Sequence, residues 1–515
     1  MMAMLGQSVV KRNIFANVLG GSWAILLNVV AIPFQAKILG AEDYGVLGFG
    51  ASLQVALTVL DFGLSTTVIR EIASDRSPDH RDSRELIQTV GTVYWLIAMV
   101  LGLGLALTAS RIVHSWFKLE AMTPRYATVA IQIMSGWVAF TWPVTLYASV
   151  LSGLQRLEVV NALRVLTNTI NLGGGVIVLL VSGDLHVFLM WMAVNAFLAV
   201  SLHVMVCRRL LPGISLGLHF SPEAIKRIWR FSLDMNVTSA LGILYTQSDR
   251  ILIGNLLSLK ALGYYNAAYN LTKGIGTVQG FFGSAILPTL ASDYSLGQKD
   301  ALRTRYSKYA QFLVYLAALP TSVLVFFGHD LLLIWTTPET AAGAYRALGI
   351  LAVGFLLNAA MSAPYVLSIA TGHTRIPLLV NVIAVPFYLP GLYFLIVRYG
   401  IDGAALAWPL LNLYYVATFL PLTQRKIVKA RVTVWFCKNL LPFLGLGSLF
   451  WIGRTAISTL QLNESPSSIW AACVSSTVGY LALGYLFLDS AIRKDIQSAF
   501  RRIRVALKQH WVRCA

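Results

Sequence analysis

The sequence predicts an all-α polytopic membrane protein of about fourteen transmembrane helices, two six-helix lobes followed by a C-terminal helical hairpin. Three observations predict it. Apolar runs of about 20 residues recur along the whole chain, the length a helix needs to cross hydrocarbon. Only 12% of the 515 residues are charged, about half the share of an ordinary soluble domain. The chain also repeats itself at an offset of 217 to 220 residues.

The apolar segments are 14–39, 46–70, 87–109, 126–152, 165–182, 187–207, 232–257, 264–290, 307–328, 344–370, 377–397, 403–422, 434–457 and 468–489. Hydrocarbon offers no partner for backbone N–H and C=O, so each is helical or part of a closed barrel. Unbroken runs of this length lack the alternation of a barrel strand, and helices remain. The first segment follows Lys11-Arg12 and is too long for a signal-peptide core, so it is read as a retained span. A secreted enzyme, a disordered scaffold and a soluble nucleic-acid binder are excluded. Cys207, Cys437, Cys473 and Cys514 have neither CxxC spacing nor neighbouring histidines, which leaves no zinc site and no disulfide framework.

The net charge of +18 sorts by loop. Loops on the N-terminal side hold 29 Lys and Arg and the opposite loops 6. That bias places both termini in the cytoplasm and explains the charge as topology. In the tail, Ile496, Phe500, Ile503 and Leu507 recur at helical spacing among Arg501, Arg502, Arg504 and Lys508, an amphipathic helix suited to an anionic lipid surface.

The repeat pairs Ala73-Ser74-Asp75 with Ala291-Ser292-Asp293, and Tyr147, Gly153 and Arg156 with Tyr365, Gly372 and Arg375. It also pairs Gly183, Asn195 and Arg208-Arg209 with Gly400, Asn412 and Arg425-Lys426. Each unit holds six spans, an even number, so both run the same way through the membrane, related by an axis along its normal. The expected organisation is an N-lobe over 1–210, a cytoplasmic linker over 211–231 and a C-lobe over 232–431. Two additional spans over 432–490 and a basic tail over 491–515 follow.

Lys37-Ile38-Leu39-Gly40-Ala41-Glu42-Asp43-Tyr44-Gly45 and Leu60-Asp61-Phe62-Gly63-Leu64 open the first unit. Ser248-Asp249-Arg250-Ile251-Leu252-Ile253-Gly254 and Leu262-Gly263-Tyr264-Tyr265-Asn266-Ala267-Ala268-Tyr269 open the second. These stretches resemble the Wzx-type oligosaccharide flippases, or polysaccharide biosynthesis export proteins. Their superfamily also holds lipid II flippases and multidrug extruders. The resemblance implies two lobes in a V-shaped arrangement and alternating access. It further implies passage of an undecaprenyl-diphosphate-linked oligosaccharide to the outer leaflet of a bacterial inner (cytoplasmic) membrane. Membrane lipids, a polysaccharide polymerase and chain-length machinery are its implied partners; nucleic acid is not among them. Fourteen spans suit the flippases better than the twelve-span extruders.

An ionisable side chain inside a span reads as functional by default. Arg250 and Lys273 flank the turn at Leu259 to Gly263 at equal distance, so each lies about 15 Å deep. They form either a cationic cavity wall for a diphosphate or acidic sugar, or two ends of bridges to Asp249 or another carboxylate. Gln54 takes the place of Lys273 in the first unit. Lys37 and Arg346, near outer span ends, join the candidate substrate-binding set or snorkel to the interface. Asp61 and Asp249 are candidate sites for coupling to an H+ or Na+ gradient. No cofactor and no metal is expected. A multidrug antiporter would offer carboxylates and aromatics to cationic drugs. A membrane glycan-transfer enzyme would need catalytic loops, and the longest outer loops hold about 15 residues with no nucleophile or paired-carboxylate constellation.

Overall fold

The computed structural model describes residues 2–61, 63–74, 81–212, 220–222, 241–459, 466–490, 492–494 and 497. Most of the linker 211–231 and the apolar positions of the tail helix lie outside these residues.

Apart from the turn at Gly63 and segment ends at Leu257, Leu488 and Asp489, the fourteen apolar segments are helical wherever they are described. The helices are α1 (Met2–Leu57), α2 (Leu64–Ser74), α3 (Arg81–Trp116), α4 (Pro124–Gly153), α5 (Leu157–Asn168), α6 (Gly175–Ser182) and α7 (Leu185–Leu210). They continue with α8 (241–256), α9 (Leu259–Ser295), α10 (Lys299–Trp335), α11 (Pro338–Ala370) and α12 (Arg375–Thr423), then α13 (Val432–Trp435), α14 (Leu441–Thr459) and α15 (Pro466–Phe487). No β-strand occurs among the described residues, only an isolated bridge between Lys118 and Ser258. Among the described residues, ten helices are long and apolar enough to cross a membrane, fewer than fourteen partly because some runs hold two spans. Thus α1 breaks at Gly40 (φ 76°) and α12 at Gly400 (φ 61°). Positive φ is costly for a residue with a Cβ, and here a single glycine reverses the chain where a loop would otherwise stand.

The second segment differs from expectation. The 46–70 run is not one continuous helix: α1 ends at Leu57, a tight turn spans Thr58–Asp61, and α2 begins at Leu64. The fifth and thirteenth spans carry π turns at Thr169–Gly174 and Phe436–Leu440.

The chain divides into two compact units. One holds Met1–Ala267 with Leu332–Gly343, the other Ala268–Leu331 with Ala344–Ala515. The first buries Val68, Leu86, Tyr94, Trp142, Leu146 and Val204 in one cluster. In the second, the final hairpin docks on α10. Gln311 donates to the carbonyls of Lys438 and Phe487 and accepts from Asp489 N–H, while Tyr480 Oη donates to Tyr315 O at 2.9 Å. Arg454 pairs with Asp330 at 3.2 Å. Leu107, Val181 and Phe387 stay more than 70% exposed. Apolar side chains left bare on helices of this length face lipid.

Candidate functional site

The charges inside the spans are held in separate places. Asp249 and Arg250, on α8, are both about 7% exposed. Asp249 Oδ2 accepts from Tyr265 Oη at 2.5 Å and Oδ1 accepts the Arg250 N–H at 2.8 Å. Arg250 Nε lies 3.8 Å from Asp249 Oδ1, and its Nη2 donates to Thr246 O one turn back at 2.8 Å. The guanidinium is therefore balanced by its sequence neighbour. Lys273 is half-buried on α9 and belongs to the second unit. Lys37 and Arg346 are exposed, on α1 and α11. Arg346 Nε donates to Tyr345 Oη at 3.1 Å and its guanidinium lies over that ring.

Asp61 closes the break in the second span. Its carboxylate accepts the Ser65 hydroxyl at 2.7 Å and the Ser65 N–H, and a third donor arrives from Tyr94 Oη. Tyr94 is fully buried and stacks on Trp142 with ring centroids 4.6 Å apart. An aspartate accepting the N–H groups that open a helix acts as its cap.

A further cluster sits at the Gly40 end of the first unit, and the sequence reading passed it over. Small residues bring two helices into main-chain contact there. A Cβ on Gly45 would meet the Leu259 carbonyl oxygen at 2.0 Å, and one on Gly263 would meet that of Ala41 at 1.8 Å. Beside this seam Glu42, 9% exposed, accepts the backbone N–H groups of Glu120, Ala121 and Met122 at 2.8 to 2.9 Å. Lys260 pairs with Glu339 and lies 3.6 Å from Glu120. The hydrogen bond that Lys260 donates to Glu339 holds its ammonium above the ordinary lysine pKa. Lys118 Nζ donates to Leu256 O at 2.8 Å. Glu42, Glu120, Lys260 and Glu339 border a cavity of about 510 Å³ whose wall also carries Asp43 and Tyr126. The signal for this cluster was present as Gly45 and Gly263, each beside a tyrosine in the stretches that opened the two units. Spacing alone did not say that the two glycines face each other.

The seam joins the two sequence repeats. Residues 41–45 and 120–122 precede the linker, whereas Leu259, Lys260, Gly263 and Glu339 follow it. One end of the first unit is thus closed by glycine-to-backbone packing, one buried carboxylate clamp and one exposed ion-pair triad.

Comparison with known proteins agrees with this architecture. The family model described as polysaccharide biosynthesis protein matches residues 10–292, and the MatE model matches 235–394. A Shigella flexneri protein described provisionally as an O-antigen transporter is 23% identical over 404 residues, 78% of this chain and 94% of that protein. Among solved structures, the lipid II flippase MurJ in its inward closed conformation aligns with a TM-score of 0.68 at 14% identity, covering 94% of this chain and 98% of that one. An inward-facing multidrug resistance transporter of the MATE family aligns at 0.58 and 15% identity, covering 81% and 96%. At these identities the structures bear on the fold.

Proposed function

Because the chain belongs to the polysaccharide biosynthesis protein family, we propose that it is a flippase carrying an undecaprenyl-diphosphate-linked oligosaccharide from the cytoplasmic to the outer leaflet of a bacterial inner membrane, with both termini cytoplasmic. The Gly40 end is then the outer end. Movement is by alternating access, and the seam is the observation that carries this reading. It is a closure that two repeats make without covalent or deeply buried ionic ties, and such a contact can open and re-form.

In this reading Arg250 and Lys273 meet the diphosphate or an acidic sugar. Asp249 holds Arg250 until an anion competes for it, since a carboxylate and a phosphate oxygen offer a guanidinium the same chemistry. Asp61 and Asp249 would couple the cycle to H+ or Na+. The multi-pass membrane architecture and the transporter names of the relatives favour transport over glycan transfer. The MatE match keeps drug extrusion as the second reading.

The test uses liposomes containing the purified protein and a labelled undecaprenyl-diphosphate oligosaccharide, with an impermeant glycosidase reporting exposure of the glycan. Protein-dependent exposure that falls in the folded Arg250→Gln/Lys273→Gln variant supports the cationic path. Exposure that survives reduces the pair to architecture. No exposure with several glycans, together with efflux of a cationic dye, transfers the assignment to drug extrusion.

A further inference from the structure

Within the second unit, α9, α10 and α11 border a cavity of about 210 Å³. Gln279 is the one polar side chain among the residues described on its wall. Its amide orientation is fixed from the far end of a chain of hydrogen bonds. The Trp408 carbonyl can only accept, so Asn412 must turn its Nδ2 toward it, at 2.9 Å. That leaves Asn412 Oδ1 to accept Asn358 Nδ2 at 3.0 Å, and Asn358 Oδ1 to accept Gln279 Nε2 at 2.8 Å. The chain therefore ends in Gln279 Oε1, a buried oxygen that takes no hydrogen bond from the protein.

A second acceptor lies on the same wall. Pro320 has no N–H to offer the carbonyl of Leu316 one turn before it, and both residues border the cavity. A buried acceptor without a donor is costly, and Gln279 Oε1 is one. With the Leu316 carbonyl deprived of its usual helical donor beside it, the wall defines what the cavity would take. The ligand must donate. A cation would meet neutral oxygens and no carboxylate among the wall residues, with a heavy desolvation cost for its unpaired charge. A neutral donor fits better, and titration with Na+ tests that choice. The volume far exceeds the ~10–15 Å³ that admits one water molecule.

We propose that this cavity is a binding site for neutral hydroxyl donors, water or a carbohydrate hydroxyl, held by Gln279 Oε1 and the Leu316 carbonyl. The repeat shows that the fold does not require it. At the 218-residue offset Gln279 stands where the first unit has Asp61, and Asn358 stands where it has Phe140. Asp61 is satisfied by Ser65 and Tyr94 within its own unit. Asn412 has its counterpart in Asn195, but the Gln279–Asn358 part of the amide chain is present in the second repeat and not in the first. The proposal goes beyond the transport reading and does not depend on it.

Radiolytic hydroxyl-radical footprinting of the full-length protein in lipid nanodiscs, read by mass spectrometry, tests it. Bound hydroxyl donors would label Leu316 and Pro320 severalfold above lipid-facing Leu379 and Phe387. The excess would vanish in Gln279→Leu and in Gly274→Leu, whose side chain enters the open space beside Gly274, while Gln279→Glu, which keeps an acceptor, would retain it. Protection of the excess by added lipid-linked oligosaccharide identifies a carbohydrate hydroxyl; indifference to it identifies water. Labelling no higher than the lipid-facing controls in wild type overturns the proposal, as does an excess displaced by titration with Na+. Either result stands apart from whether the protein flips a glycan.

Discussion

Asp249 balances Arg250 inside a membrane-embedded helix, and removing it should be expensive. Asp249→Ala leaves a buried guanidinium without its carboxylate, a change worth about 3–5 kcal/mol when one partner of a buried pair is lost. Tyr265→Phe removes only the phenol donor at 2.5 Å and should cost about 1.5–3 kcal/mol, the range for a hydrogen bond to a charged group. Thermal unfolding in detergent ranks the two, and equal losses would contradict the pairing. That both residues sit on an apolar helix was legible in the sequence; their partnership was not. Successive helical positions point about 100° apart, which argues against contact between long side chains. A short aspartate side chain folds back instead to the N–H of the next residue, and the second donor comes from a different helix. The turn after α4 shows another limit of reading by residue type. Gly372 (φ 75°) is matched in geometry by Gln155 (φ 57°), not by Gly153 as the sequence alignment suggested. In both turns an N–H reaches back five residues, Arg156 to Leu151 O and His373 to Ser368 O. A non-glycine residue in the left-handed region costs about 1 kcal/mol. Gln155→Gly should therefore raise stability by roughly that amount, read as a higher melting temperature with unchanged activity; a lower one would mean that the glutamine side chain has a role of its own.

At the scale of elements, hydropathy located helices in all fourteen segments as far as they are described, and misjudged continuity. It has no term for the aspartate that ends one helical piece and caps the next, so the break between Leu57 and Leu64 was invisible in the apolar count. It also could not show that the last two spans are fastened to α10. Gln311 uses both ends of its amide there, donating to two carbonyls and accepting from Asp489 N–H. Gln311→Leu would strand those backbone groups where water is scarce, at a cost of about 1–3 kcal/mol for each group left buried without a partner. Limited proteolysis near residue 490 should then proceed faster in the variant than in wild type. An unchanged rate would mean that Tyr480 and the Arg454–Asp330 pair hold the hairpin without it.

At the scale of the whole molecule, the repeat was legible because it survives in turn positions and span order. The seam was not, because its meaning lies in which repeat each partner comes from. Two ionic features border it and differ in kind. Glu42 clamps residues 120–122 to α1 within the first repeat and so shapes that side of the seam, whereas Lys260 reaches across from the second repeat to Glu120. Glu42 is almost fully buried against three backbone N–H donors, so salt should barely reach it. The Lys260 and Glu339 side chains are 31% and 62% exposed, and exposed pairs are screened. Lys260 is held above its ordinary pKa by Glu339, so its contribution is complete at neutral pH and declines only as pH rises past the ordinary lysine range. Between pH 6 and 9 its charge is constant and cannot change the seam. Glu42→Gln replaces one acceptor oxygen by an NH₂ that faces backbone donors, and opening should follow. We expect a cysteine placed at Ala41, in a variant lacking the native cysteines, to react slowly with an impermeant maleimide from the outer side. Glu42→Gln should speed that reaction by about tenfold, the effect of ~1.4 kcal/mol on an opening equilibrium, at low and high salt alike. Lys260→Gln should speed it modestly at low salt and leave it unchanged at high salt. If the lysine variant opened the seam as far as the glutamate variant, and did so at every salt concentration, closure would rest on the ion pair and not on the amide clamp.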